Sequence, residues 1–185
     1  MIVRNVVVAL SLGIMGSTFA FADKAKDQAD VRKAADSALA ALYKAKPAAK
    51  KVVESAAGYA AFSNFGMKIL VAGGGSGKGV AVNNKTKAVT YMKMAEALSG
   101  LGFGAKKFQL VWVFENEGAL NTFINSGWEM SGQATAAAKN GDQGTAYQEA
   151  MAVSPGVWLY QLTDKGLALE VTAKGTKYFK DDKLN

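Results

Sequence analysis

The apolar residues of this chain change period near Met67, with helical spacing before it and strand spacing after it. Upstream, Val31, Ala35, Ala38 and Leu42 recur at intervals of four, three and four, and Ala34, Leu39 and Ala41 widen the stripe. That spacing predicts a helix over 23–46. Pro47 biases Lys46 away from helix and can open a second one, with Ala49, Val52, Val53, Ala56 and Ala60 on its apolar face and its end near 58–63. Downstream, MKILVA (67–72), GVAVNN (79–84) and AVTYMKM (88–94) are short β-type runs, the last two joined by a turn at Asn83-Asn84-Lys85. In KKFQLVWVFE, Phe108, Leu110, Trp112 and Phe114 share one face of a strand. Asn116 is placed to cap a short helix over 117–125, with Leu120, Phe123 and Ile124 turned inward. GVWLYQLT (156–163) and GLALEVT (166–172) form a hairpin about Asp164-Lys165-Gly166. The small, polar stretch 131–142, with AAAK in its middle, is ambiguous in state, and the tail from Lys177 ends in charge. Helices followed by a run of antiparallel strands spell an α+β fold.

The first residues form an address rather than part of that fold. Arg4 precedes an apolar run from Val6 to about Met15, and Ala20-Phe21-Ala22 fits an A-x-A cleavage site. The run is short for the ~20 residues a membrane span needs, and Gly13 and Gly16 interrupt it. We read 1–22 as a signal peptide and 23–185 as a single domain, helical over 23–62 and mainly β with one short helix over 63–185. The protein is therefore expected outside the cytoplasm, in the periplasm or beyond, as a peripheral membrane protein where it meets a bilayer.

Absent residue types narrow the chemistry. The 185 residues include no histidine and no cysteine, which removes Ser-His and Cys-His couples, thiol nucleophiles, zinc fingers, iron–sulfur clusters and disulfides. Lys and Arg total 22 against 15 Asp and Glu; without Arg4, 21 basic residues remain and the net charge is +6. Nearly all of that charge is lysine, and Arg32 is the only arginine after the signal. Sequence-reading nucleic-acid proteins and phosphate clamps lean on bidentate arginine, so no nucleic-acid partner is expected. Diffuse lysine charge suits an anionic surface, or solubility alone.

Gly73-Gly74-Gly75-Ser76-Gly77-Lys78-Gly79 comes close to a phosphate-binding loop. Gly79 stands where a Ser or Thr should hold magnesium, and Val80-Ala81-Val82 continues as strand where a helix is required. The stretch reads instead as a glycine-rich turn or bulge in a curved sheet. The carboxylates Glu115, Glu117, Glu129, Asp164 and Glu170 could in principle supply an acid–base pair, but no pairing is evident from their spacing. Trp112, Trp128 and Trp158 read as core. No catalytic residue, metal ligand or cofactor is expected.

Several blocks in order carry a resemblance: AAGYAAFSNFGMKILVAGGGSGKGVAV (56–82), GLGFGAKKFQLVWVFENEGALNTF (with 102–123 at its core) and GLALEV (166–171). Together they resemble the SYLF domain, a lipid-binding module of eukaryotic membrane-trafficking and actin-patch proteins, from about residue 50 onward. Leu169-Glu170 departs from that family's late small-residue pattern. The resemblance implies N-terminal helices packed on a curved, glycine-rich antiparallel sheet. It also implies binding of anionic lipid through basic N-terminal elements, which by region would be Lys44, Lys46, Lys50 and Lys51, with Lys68 and Lys78 flanking the first glycine strand. Export would separate the chain from phosphoinositides, so an envelope lipid such as phosphatidylglycerol or cardiolipin becomes the expected anion. The alternative expectation is a structural envelope protein that binds a partner protein and no lipid.

Overall fold

The computed structural model describes residues 15–69, 72–99, 104–130, 147, 149–164, 166–168 and 176–185. Helix α1 spans Met15–Ala45 and α2 spans Pro47–Ser55, with Lys46 between them at φ −139° and ψ 85°. Val31, Ala35, Ala38 and Leu42 are all buried, as their spacing predicts. Strands β1 (Gly58–Ile69), β2 (Ala72–Asn83), β3 (Val89–Ser99) and β4 (Gly104–Phe114) follow, then α3 (Glu117–Ser126). The later strands are β5 (Trp128–Met130), β6 (Met151–Ser154), β7 (Val157–Thr163), β8 (Gly166–Ala168) and β9 (Thr176–Lys180). All pairings are antiparallel, in the order β5-β9-β3-β2-β1-β4-β7-β6, with β8 also on β7. The fold is α+β.

The sheet is strongly curled. Trp112 on β4 and Tyr178 on β9 lie four ladders apart, about 19 Å on a flat sheet at normal strand spacing. Their ring centroids are nevertheless 5.0 Å apart, and Phe62 on β1 is 5.1 Å from Tyr178. The face carrying these rings is thus concave. Phe108, Leu110, Trp112 and Phe114 line it together, in agreement with the alternation of KKFQLVWVFE. Helix α3 closes the hollow by inserting Leu120 and Phe123, the latter 5.0 Å from Phe114 and 5.3 Å from Trp112. Asn116 Oδ1 accepts from the Ala119 amide at 2.8 Å, the expected cap. The convex face is covered by α1 and α2, whose apolar residues join Ala61, Val80, Tyr91, Val111, Val113, Trp158 and Tyr160 in a second core layer.

Two expectations are corrected. The second helix ends at Ser55 and β1 begins at Gly58, nine residues before Met67, so the helical region stops short of residue 62. GYAAFS is poor in β-branched residues, but Ala60, Ala61 and Phe62 are wholly buried in a central strand, and burial decides its conformation. The glycine-rich stretch is neither a turn nor a bulge. It runs through β2 with unbroken register, from Gly58↔Asn83 to Ile69↔Ala72. Glycine is required sterically here: a Cβ at Gly79 would lie 2.2 Å from the Ala61 carbonyl oxygen and 2.5 Å from the Phe62 ring. Removing side chains from the concave side of β2 is what lets the sheet close so tightly around its aromatic residues.

The charged tail also has unexpected order. Residues 176–180 form β9 between β3 and β5, and the tail then turns back over β3. Asn185 pairs its side-chain amide with the Tyr91 backbone in both directions, at 2.9 and 2.8 Å, and Leu184 is buried. Lys24 Nζ and Gln28 Nε2 donate to the carbonyls of Asn185 and Leu184, fastening the first turns after residue 22 to the tail. The hairpin at 164–166 forms as expected, with Thr163 opposite Gly166. The ambiguous stretch 131–142 and the remainder of the last strand, 169–172, lie outside the described residues.

Candidate functional site

Pro47 cannot continue α1, so the chain turns at Lys46 and brings Lys44, Lys46, Lys50 and Lys51 around one helix–helix elbow. Lys46 is the least exposed of them, at 18%, with its ammonium 3.5 Å from Glu149. Lys50 lies 3.9 Å from Glu54, one helical turn on. Lys44 and Lys51 are exposed and make no ion pair among the described residues. Tyr43 adjoins this elbow with its pKa pushed up to about 12, first by burial and then by Tyr59 and Glu54.

The patch extends beyond the residues expected from sequence. Asn84 Nδ2 donates to the carbonyls of Val53 at 2.7 Å and Ala56 at 3.0 Å, satisfying acceptors that the end of α2 leaves open. That clamp brings the β2–β3 turn against α2, and with it the exposed Lys85 and Lys87. Lys85 is 81% exposed and 3.8 Å from Glu117, the acidic residue of the first turn of α3. The Asn83-Asn84-Lys85 turn was legible in the sequence, but its docking partner thirty residues away was not.

Lys68 and Lys78 are separate from the elbow. Lys68 sits in β1 opposite Gly73 and Gly104, and its side chain lies outside the described residues. Lys78, on β2, lies 3.9 Å from Asp27 of α1. Seventeen helical residues divide Asp27 from Lys44, about 25 Å along the axis. The six lysines therefore do not form one site.

The geometry also constrains how α1 could meet a surface. Its apolar stripe is packed against the convex sheet face and Arg32 turns its guanidinium onto Tyr91, so its outward side offers Lys33, Asp36 and Lys44 instead. Among the described residues no helix is long and apolar enough to cross a membrane. Surface attraction at the elbow would be a matter of charge, since the stripe from Val31 to Leu42 is turned to the sheet.

Of the carboxylates considered for catalysis, Glu115, Glu117 and Glu129 are individually engaged. Glu115 Oε1 accepts from Trp158 Nε1 at 3.0 Å, and the Tyr147 ring stacks 4.4 Å from Trp158. Burial, then a hydrogen bond to Glu115, raises the Tyr147 pKa. Glu115 thus braces a loop against β7. Glu129 lies 3.1 Å from Lys177, Asp164 is exposed at the β7–β8 turn, and Glu170 lies outside the described residues. Trp112 is wholly buried, Trp158 nearly so, and Trp128 packs at the rim of the concave core.

No known family model matches the chain. Over 152 residues it is 37% identical to Beta cell expansion factor A of Aeromonas veronii, a match covering 81% of this chain. The same match covers 56% of that protein, so the chain corresponds to little more than half of its relative's length.

Proposed function

We propose that the protein is an exported, non-enzymatic module of SYLF type that associates with anionic phospholipid surfaces. The observation that carries this reading is the elbow itself: among the described residues Lys44 and Lys51 project unpaired, with Lys46 and Lys50 beside them, Lys85 and Lys87 on the turn clamped to the end of α2, and Glu54, Glu117 and Glu149 as the opposing charges. Each basic residue near an anionic leaflet contributes about 1 kcal/mol. A net excess of a few lysines gives weak, reversible attachment that salt weakens. The ordered blocks over residues 56–171 support the SYLF assignment, and the curled glycine-rich sheet is of the kind that resemblance implies. The A-x-A motif after a short apolar run supports export.

Co-sedimentation of the purified chain with vesicles of graded phosphatidylglycerol content tests the reading. Binding should rise with anionic fraction and fall as ionic strength shortens the Debye length from about 30 Å at 0.01 M to about 8 Å at 0.15 M. Equal pelleting with neutral and anionic vesicles would contradict it.

A further inference from the structure

A second feature lies away from the elbow, where the first half of α1 bridges the open end of the convex sheet face. There the helix and sheet enclose a cleft of about 890 Å³, within the range of roughly 300–1,000 Å³ usual for small-molecule sites. Its floor is a row at one register level across neighbouring strands: Phe179, Lys93, Lys78, Ser63, Gln109 and Leu162. Ser63 and Gln109 are half-buried, yet their side chains make no hydrogen bond among the described residues. Phe179 is 43% exposed, the one large apolar side chain so exposed among the described residues, and it forms one end of the row.

Charge argues against an anion in this cleft. Lys93 is neutralised by the buried Asp181 at 2.7 Å and Lys78 by Asp27 at 3.9 Å. Asp30, paired with Lys26 at 2.9 Å, and Asp164 also line the cleft, so Lys107 is set against Asp164 and no net positive field remains. What remains is a mixed set of donors and acceptors: ammonium groups, a carboxamide and a hydroxyl on the floor, carboxylates on the walls, and one exposed aromatic ring. A polyhydroxylated, uncharged ring system needs that combination. Its hydroxyls both donate and accept, and its axial C–H groups, slightly positive, suit the negative face of an aromatic ring.

We propose that this cleft is a saccharide-binding site, in which Phe179 stacks on a sugar ring, Ser63 and Gln109 hydrogen-bond its hydroxyls, and Asp30 and Asp164 accept from them. The site is independent of the elbow and of lipid attachment.

Nuclear magnetic resonance of the isotope-labelled purified chain tests this with three probes: triacetylchitotriose, maltotriose and inorganic phosphate. At least one trisaccharide should shift the Ser63 and Gln109 signals at millimolar concentration, and saturation should transfer to its ring C–H protons. Phe179→Ala should weaken that binding at least tenfold, whereas Phe179→Trp should preserve it. Phe179 is on the surface, so both variants should keep the wild-type amide spectrum elsewhere. Three results would each overturn the proposal: neither trisaccharide shifting these signals, phosphate alone shifting them, or binding indifferent to Phe179→Ala. Vesicle attachment should be unchanged in Phe179→Ala, so failure here and failure of the membrane reading are separable.

Discussion

At Gly79 the absence of a single carbon determines how far the sheet can curl. The Ala61 carbonyl that a Cβ would strike at 2.2 Å is backbone in a central ladder, with no rotamer by which to move aside. Overpacking a tight core costs about 1–3 kcal/mol, and Gly79→Ala is expected to reach at least the upper end. Urea denaturation should show the midpoint falling, while Gly74→Ala, whose Cβ would lie 3.7 Å from the Glu96 carbonyl oxygen, should lower it less. Equal effects would mean that the close backbone approach at Gly79 does not limit β2. At Tyr43 the titration has a definite sign. Its pKa in the folded protein is raised from 10.0 to about 12, chiefly by burial, so the neutral hydroxyl is the form that the fold favours. The associated stability is complete below pH 10 and is lost as pH rises toward 12. Thermal unfolding from pH 8 to 12 should decline less steeply in Tyr43→Phe than in wild type. The same slope in both would remove Tyr43 from the account.

Elements differ in how far they can be read from local pattern. Helix α1, strand β4 and the capped α3 carry their own signals: a stripe at helical spacing, strict alternation, and an asparagine one residue before the first turn. Each forms where the pattern predicts, although α1 begins at Met15, eight residues before the expected start at 23. Strand β1 has no such signal, because Gly58, Ala60 and Ala61 are small for reasons of packing against β2 and β4 rather than of strand preference. Strand β9 was hidden for a related reason. Lys177, Phe179 and Lys180 face solvent, and only Thr176 and Tyr178 point inward, too few for a period to register. The cap on α3 has a measurable role, since that helix seals the concave core. Asn116→Ala removes the acceptor for the Ala119 amide and should cost about 1 kcal/mol, read as a lower denaturant midpoint at unchanged slope. No change in midpoint would mean that Leu120 and Phe123 hold the helix without its cap.

For the molecule as a whole, the arrangement separates two surfaces. Apolar side chains from Val31 to Val53 of α1 and α2 are spent on the convex core layer, so on the proposed reading contact with a bilayer would fall to lysines at the elbow. The family resemblance points to four of those lysines by region, and it does not point to Lys85 and Lys87, whose turn only the Asn84 clamp brings against α2. Lys78 was grouped with them by its place beside the glycine run, yet it belongs to the cleft some 25 Å along α1. The measurement that tests the central claim most directly is vesicle binding by the double charge reversal Lys44→Glu, Lys51→Glu, compared with Lys26→Glu, Lys180→Glu on other parts of the surface. All four side chains are exposed, so the fold should survive each pair of changes. The account predicts that the elbow variant loses binding to phosphatidylglycerol vesicles at least tenfold while the control pair keeps most of it. Equal losses in both variants would mean that net charge alone drives attachment, and the elbow would not be the site.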